Sequence, residues 1–74
     1  MKIYSTSYSI SNKNIRKIIE HYKKSIKDRS VYLGGGYFGF INNKTLKINT
    51  LSKNKNHLIK SELEDIFKIK LRVA

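Results

Sequence analysis

The chain contains no cysteine among its 74 residues, so neither disulfide bonds nor thiolate metal sites can stabilise it. This absence argues against a small secreted scaffold and favours a reducing compartment. Long apolar runs are lacking too: no stretch approaches the roughly 20 apolar residues that span a bilayer, and the N-terminus has no signal-peptide h-region. We therefore expect a cytoplasmic protein with no membrane partner.

Acidic residues are also scarce, because 5 Asp and Glu stand against 16 Lys and Arg and give a formal charge of +11. Self-repulsion at this level destabilises a compact monomer, and a polyanionic partner would relieve it. An AT-rich genome would supply the many Lys, Asn, Ile and Tyr residues by codon bias. That bias leaves acidic codons largely untouched, so the shortage of acids favours a nucleic acid or another polyanion as partner.

The sequence contains few of the patterns that indicate catalysis. No two carboxylates have the spacing of an acid/base pair, no His, Asp and Glu cluster suggests a metal, and no glycine-rich run forms a phosphate loop. His21 and His57 could act as acid and base in RNA cleavage, as in small toxin ribonucleases. His21 borders an apolar helical stripe, however, and His57 falls in the first turn of a predicted helix. We expect no enzyme activity, no metal and no cofactor.

The N-terminal residues alternate between apolar and polar from Lys2 to Ile10, which predicts a strand with Tyr4, Thr6, Tyr8 and Ile10 on its buried face.

A chain this short can form one small domain, residues 1–74, that buries only about 60% of its unfolded surface.

A first helix is predicted after Ser11 or Asn12, either of which can cap it. Its apolar stripe would comprise Ile15, Ile18, Ile19, Tyr22 and Ile26. The opposite side would be cationic and suits solvent, phosphate binding or, least well, a membrane surface. That side would carry Lys13, Arg16, Lys17, Lys23, Lys24 and Lys27.

Three glycines, Gly34 to Gly36, separate a predicted strand at Val31 to Leu33 from a predicted hairpin. They indicate either a tight turn or a flexible lip beside a binding face. In the hairpin, Phe38 to Ile41 pairs antiparallel with Thr45 to Ile48 across an Asn-Asn-Lys turn. Leu46 and Ile48 then face the core, with Lys47 and Asn49 on the other side.

The C-terminal third predicts a basic loop over 52–56 and a second helix capped by Asn56 or by Ser61. Either start places Glu62, Glu64 and Asp65 nearer the helix N-terminus, where the macrodipole favours acids, than its C-terminal end. The apolar face of this helix would comprise Ile59, Leu63, Ile66 and Phe67. Strict alternation from Lys68 to Val73 predicts a closing strand with Ile69, Leu71 and Val73 on one side, and a continued helix is the competing interpretation.

The resulting order is β-α-β-β-α-β, an α+β two-layer sandwich of ferredoxin-like or related type with both helices on one face of an antiparallel sheet. The glycines could split one strand in two. The other sheet face would stay open and would form the primary binding surface, with Lys47, Lys68, Lys70, Arg72 and Tyr37. The helical cations Arg16, Lys17, Lys23, Lys24 and Lys27 would form a secondary surface.

Two short stretches resemble RNA-binding modules. Gly36-Tyr37-Phe38-Gly39-Phe40-Ile41 resembles the aromatic strand of RNA-recognition and cold-shock domains, with one residue inserted before Gly39 and Gly36 in place of the leading cation. The insertion moves one aromatic to the other side of the strand, and we expect Phe38 and Phe40 in the core. Lys53, Lys55 and Lys60 lie about where double-stranded-RNA-binding modules grip phosphates.

Our first hypothesis is a non-enzymatic module, monomeric or homodimeric, that binds RNA or single-stranded DNA mainly through phosphates. The alternative is a small viral or mobile-element protein that binds and inhibits a host protein or nucleoprotein complex, an anti-defence inhibitor being one case. Short length, strong charge and the lack of a catalytic motif permit both.

Overall fold

Two helices and six strands make up the part of the chain that the computed structural model describes, which is residues 3–24, 26–35 and 37–74. Lys2 and Gly36, which fall in the predicted first strand and the glycine run, lie outside these residues. In chain order the elements are β1 (Tyr4–Ser9), α1 (Asn12–His21), β2 (Ile26–Lys27), β3 (Ser30–Gly34), β4 (Tyr37–Asn42), β5 (Thr45–Thr50), α2 (Lys53–Phe67) and β6 (Arg72–Val73).

The strands form one antiparallel sheet in the order β2-β3-β4-β5-β1-β6. The α+β class and the two helices agree with the prediction, whereas the described sheet has six strands instead of four, or of five with one strand split at the glycines. Both outermost strands, β2 and β6, are only two residues long. Such short edges offer little template for pairing with another sheet.

The hydrophobic core lies between the two helices and one face of the sheet. Tyr8, Leu46 and Ile48 contribute from the sheet, and Ile18 and Leu63 from the helices. Because both helices bury residues in the same cluster, they cover the same side of the sheet, as predicted. The remaining buried members of the cluster are Ile10, Ile15, Ile59, Phe67 and Leu71.

Helix α1 begins as predicted, since the Oγ of Ser11 accepts a hydrogen bond from the Asn14 backbone N–H at 3.2 Å. It ends at His21, so the prediction that it continues to Ile26 is wrong. Ile26 pairs with Val31 instead, across a tight turn in which Asp28 has a φ of 57°. Asp tolerates the left-handed conformation, and β-branched Ile suits a strand.

Helix α2 begins earlier than predicted, because Ser52 caps it and accepts from the Lys55 N–H at 3.2 Å. The predicted loop over 52–56 and the caps at Asn56 and Ser61 are therefore wrong. Asn56 is buried within the helix. Glu62, Glu64 and Asp65 consequently lie in the second half of α2, not near its start.

After α2 the chain does not form the long closing strand that alternation predicted. The helix ends at Phe67, Lys68 adopts a left-handed φ of 55°, and only Arg72–Val73 pairs with β1. The Leu71 N–H donates to Oε2 of Glu64 at 2.9 Å, so a carboxylate on α2 holds the segment that connects α2 to β6. Leu71 and Ile69 pack inward as predicted, whereas Val73 is exposed.

Candidate functional site: the open sheet face

The register of the β4–β5 hairpin decides which side chains the open face presents. We predicted Asn42, Asn43 and Lys44 as the turn. In the structure Asn42 pairs with Thr45, so the turn contains only Asn43 and Lys44, and Lys44 adopts a φ of 58°. The hairpin is confirmed, but the pairing differs by one residue. Such a shift exchanges the two faces of a strand, so it moves Phe38 and Phe40 to the open face.

The open face is a grid of side chains in register across β3, β4, β5 and β1. One row runs Tyr32, Phe38, Asn49, Ser5, and the next runs Ser30, Phe40, Lys47, Ser7. A third row contains Asn42, Thr45, Ser9 and Arg72. Apolar rings therefore lie on β3 and β4, and small polar side chains lie on β5 and β1.

The aromatic side chains on this face are exposed to solvent. Phe38 is 44% exposed, Phe40 40% and Tyr32 41%, and the rings of Tyr32 and Phe38 lie 5.2 Å apart at an interplanar angle of 56°. Exposed Ile3 and Leu51 extend the apolar surface at the end of the sheet. Together with Phe38, Phe40 and Asn49 they border a shallow concavity of about 360 Å³. The prediction that both phenylalanines lie in the core is wrong.

The open face contains hydrogen-bond donors and no carboxylate. None of β1, β3, β4 and β5 contains Asp or Glu, and Lys47 lies centrally between Phe40 and Ser7. At the far end of the hairpin an Arg29 guanidinium N–H donates to Oδ1 of Asn42 at 3.2 Å. The Ser5 hydroxyl donates to Oδ1 of Asn49 at 2.5 Å. This surface suits a ligand with flat apolar rings and negative charge.

The structure brings together only part of the predicted primary surface. Lys47 and Arg72 lie on the open face. Lys68 and Lys70 do not, because they lie in the connection after α2 beside Glu64 and Asp65. The prediction of Tyr37 on the open face is also wrong, since Tyr37 alternates with Phe38 along β4 and packs against the core.

The residues that the sequence analysis missed are Phe38, Phe40, Asn49 and Tyr32. Lys47 and Asn49 were expected to face outward, and a two-residue turn would have placed Phe40 and Phe38 opposite them. The length of that turn was therefore the feature of the sequence that could have placed Phe38 and Phe40 on the open face.

The predicted secondary surface is divided between three elements. Arg16 and Lys17 lie on α1 and, with Lys13 and His21, border a wide groove next to Ile66 and Phe67 of α2. Lys23 and Lys24 follow the helix in a turn, and Lys27 lies in β2. The single cationic helix face that periodicity predicted is therefore shorter than expected.

The two histidines lie far apart. The His21 ring packs edge-on against Tyr22 at 4.7 Å and against Phe67 at 5.2 Å. His57 is exposed near the other end of α2, ten residues before Phe67, a distance of about 15 Å along the helix axis. They do not form an acid/base pair in this arrangement.

Comparison with protein-family models, with curated proteins and with solved structures finds no match to this chain. Within the described ranges, neither helix has the length and apolar content needed to cross a membrane. The same ranges contain no group of three His, Cys, Asp or Glu side chains placed to hold a metal ion. Fold and site together define a small two-layer α+β protein with an open, aromatic sheet face.

Proposed function

We propose that this protein is a non-enzymatic, cytoplasmic module that binds single-stranded RNA or DNA on its open sheet face. Bases stack on Phe38 and Phe40, and Lys47 and Arg72 contact phosphates. The observation that carries this proposal is the pair of exposed rings two residues apart on β4 and beside Lys47. Duplex bases are already stacked on one another, so rings on a sheet suit unpaired bases.

The charge of the whole chain supports the same ligand. The formal charge is +11, and the open face lacks the carboxylates that would repel phosphates. The cations on α1 and in the turn after it would then act over longer range by attracting the strand. We also propose that the four adjacent strands β6-β1-β5-β4 correspond to a ferredoxin-like sheet, which β2 and β3 extend at one edge.

Fluorescence anisotropy with labelled oligonucleotides of about ten nucleotides tests the proposal. Stacking contributes about 1–3 kcal/mol per base, so Phe38→Ala and Phe40→Ala should each weaken binding by roughly 5- to 150-fold. Leu58→Ala is the matched control, because Leu58 is exposed on α2 away from the open face. Equal loss of affinity in the control would contradict the assignment of the site.

Salt dependence provides an independent test of the phosphate contacts. The logarithm of the affinity should fall by about 0.7 per log unit of salt for each single-strand phosphate that is neutralised. Lys47→Gln should reduce this slope by about that amount and leave the effect of Phe40→Ala in place. A flat salt dependence would rule out the phosphate contacts.

A second candidate function has a specific observation in its favour. Ile3, Phe38, Phe40 and Leu51 form an exposed apolar surface of the kind that docks on another protein. We propose as the alternative that a viral or mobile-element protein uses this face to inhibit a host protein or nucleoprotein complex. Affinity capture with and without nuclease separates the two functions, since a partner retained after nuclease favours the inhibitor and loss of all partners favours nucleic acid.

A further inference from the structure

Asn49 is the polar side chain adjacent to the Phe38 ring on the open face. The two residues pair directly across β4 and β5, and both border the concavity at this end of the sheet. A base stacked on Phe38 would therefore place one of its edges against the Asn49 amide. Hydrogen bonds to base edges distinguish one base from another, whereas stacking does not.

Ser5 determines which end of that amide is available. Ser5 is the cross-strand partner of Asn49 on β1, and its hydroxyl donates to Oδ1 of Asn49 at 2.5 Å. With the amide oxygen engaged by Ser5, the Nδ2 group remains to donate to a ligand. The next row presents another donor, since Lys47 lies opposite Phe40. Asn49 therefore offers a hydrogen-bond donor beside the Phe38 ring, and Lys47 offers one beside the Phe40 ring.

We infer that the position over Phe38 selects a keto base, uracil or thymine above all, through donation from the Asn49 amide that Ser5 orients. This inference rests on the proposed function, because it assumes that bases stack on the open face. Uracil offers carbonyl acceptors on both sides of its pairing edge. Cytosine has an amino group in one of those places, and two donors facing each other repel.

A comparison of oligo-U with oligo-C isolates this contact, because the two pyrimidines have the same ring size and differ at the pairing edge. A single neutral hydrogen bond supports a preference of about 2- to 10-fold for oligo-U. Anisotropy titrations at fixed salt, with strands of equal length, measure the ratio of the two dissociation constants.

Three variants test the roles of Asn49 and Ser5, and a fourth is the control. Asn49→Ala removes the donor, and Ser5→Ala lets the amide turn over and accept from cytosine, so both should bring the ratio to about 1. Asn49→Asp presents only acceptors and should reverse the preference to cytosine. Ser7→Ala changes the neighbouring serine on the same face, opposite Lys47, and should leave the ratio unchanged.

The outcomes separate this inference from the proposed function. Equal affinity of the unmodified protein for oligo-U and oligo-C, or tighter binding of oligo-C, overturns the inference. If that binding still depends on Phe38 and Phe40, the proposed function stands. A preference for oligo-U that persists in both Asn49→Ala and Ser5→Ala also overturns the inference. Absence of binding to any oligonucleotide overturns both proposals together.

Discussion

Asn56 shows how a single polar residue positions a helix on the sheet. It is only 1% exposed, the Tyr8 hydroxyl donates to its Oδ1 at 2.5 Å, and its Nδ2 donates to the Ile48 carbonyl at 2.9 Å. These two bonds connect α2 to β1 and to β5, the two strands beneath it. A one-turn slide of the helix would break both bonds in an apolar core, which fixes the position of α2.

Replacing Asn56 by Ala should destabilise the protein by about 2–4 kcal/mol, because the Tyr8 hydroxyl and the Ile48 carbonyl lose their partners while they remain buried. The midpoint of urea denaturation, followed by circular dichroism, measures the change. Asn54→Ala is the control, since Asn54 lies exposed in the same helix. Equal midpoints for the two variants would contradict the structural role of Asn56.

Two tyrosines, the buried Tyr8 and the partly buried Tyr22, make stability depend on pH in the alkaline range. Burial raises the pKa of the Tyr8 phenol above its ordinary value of 10.0, and burial followed by the charge of Glu62 raises the pKa of Tyr22. The folded protein therefore holds both protons more tightly than the unfolded chain. Their contribution to stability is complete below pH 10.0 and is lost as the pH rises through the raised pKa values.

Urea midpoints at about pH 9 and about pH 11 should show this loss, because only the unfolded chain ionises its tyrosines at their usual pKa. Tyr22→Phe removes one of the two phenols and leaves the lysine background unchanged. The difference between the two midpoints should therefore shrink in this variant. A variant with the same difference as the unmodified protein would show that Tyr22 does not contribute.

At the scale of elements, the turn between β3 and β4 requires glycine. Gly34 has a φ of 95° and Gly35 a φ of 63°, and Gly34 pairs with Tyr37 where the register shifts. A Cβ on Gly34 would meet no atom within 4 Å, so the constraint at this position is conformational and not steric crowding by neighbours. The interpretation of the glycines as a tight turn accounts for Gly34 and Gly35.

Gly34→Ala should destabilise the protein by about 1–2 kcal/mol through backbone strain alone. For a domain of this size, each kcal/mol lowers the melting temperature by about 4–8 °C. Gly34→Asn should cost less, because Asn tolerates positive φ better than Ala. If Ala and Asn lower the melting temperature equally, strain is not the cause.

The elements also show where sequence-based prediction worked and where it failed. The period-two pattern of β1, the Ser11 cap and the outward orientation of Lys47 and Asn49 were predicted from local patterns and are confirmed. The end of α1 and the start of α2 were predicted wrongly, because another pairing or another cap is more stable there, whereas the end of α2 at Phe67 is confirmed. Ser52 took the place of Asn56 as cap, and Ile26 paired with Val31 instead of extending the helix.

For the molecule as a whole, cationic charge is the dominant electrostatic feature. Among the described residues the ion pair between Lys23 and Glu20 has an N–O distance of 3.9 Å and both side chains are largely exposed, so it contributes little. The formal charge of +11 therefore has little local compensation. Repulsion between exposed cations opposes the compact state and is screened by salt.

The melting temperature should rise by several degrees when sodium chloride is raised from about 20 mM to about 300 mM, because screening weakens this repulsion. A variant with Lys53→Glu and Lys55→Glu lowers the charge at the start of α2, where the macrodipole favours acids. It should melt higher than the unmodified protein at low salt and respond less to added salt. A melting temperature that falls with salt would contradict this account.

What the sequence determined by itself is what depends on neighbours along the chain: the scarcity of acids, the periodic faces of strands and helices, and the turn-forming glycines. These set the α+β class and the net charge. Composition and periodicity carry this information because each residue's conformational preference acts over a few neighbouring residues of the chain.

Only the tertiary structure decided which side chains the open face presents. The β4–β5 turn contains two residues and not three, and that difference exchanged Tyr37 for Phe38 and Phe40 on the surface. Strand register depends on burial and pairing across the whole sheet, and a shift of one residue costs little locally but reverses every side chain. A site built from four strands could therefore be found only after those strands were assembled.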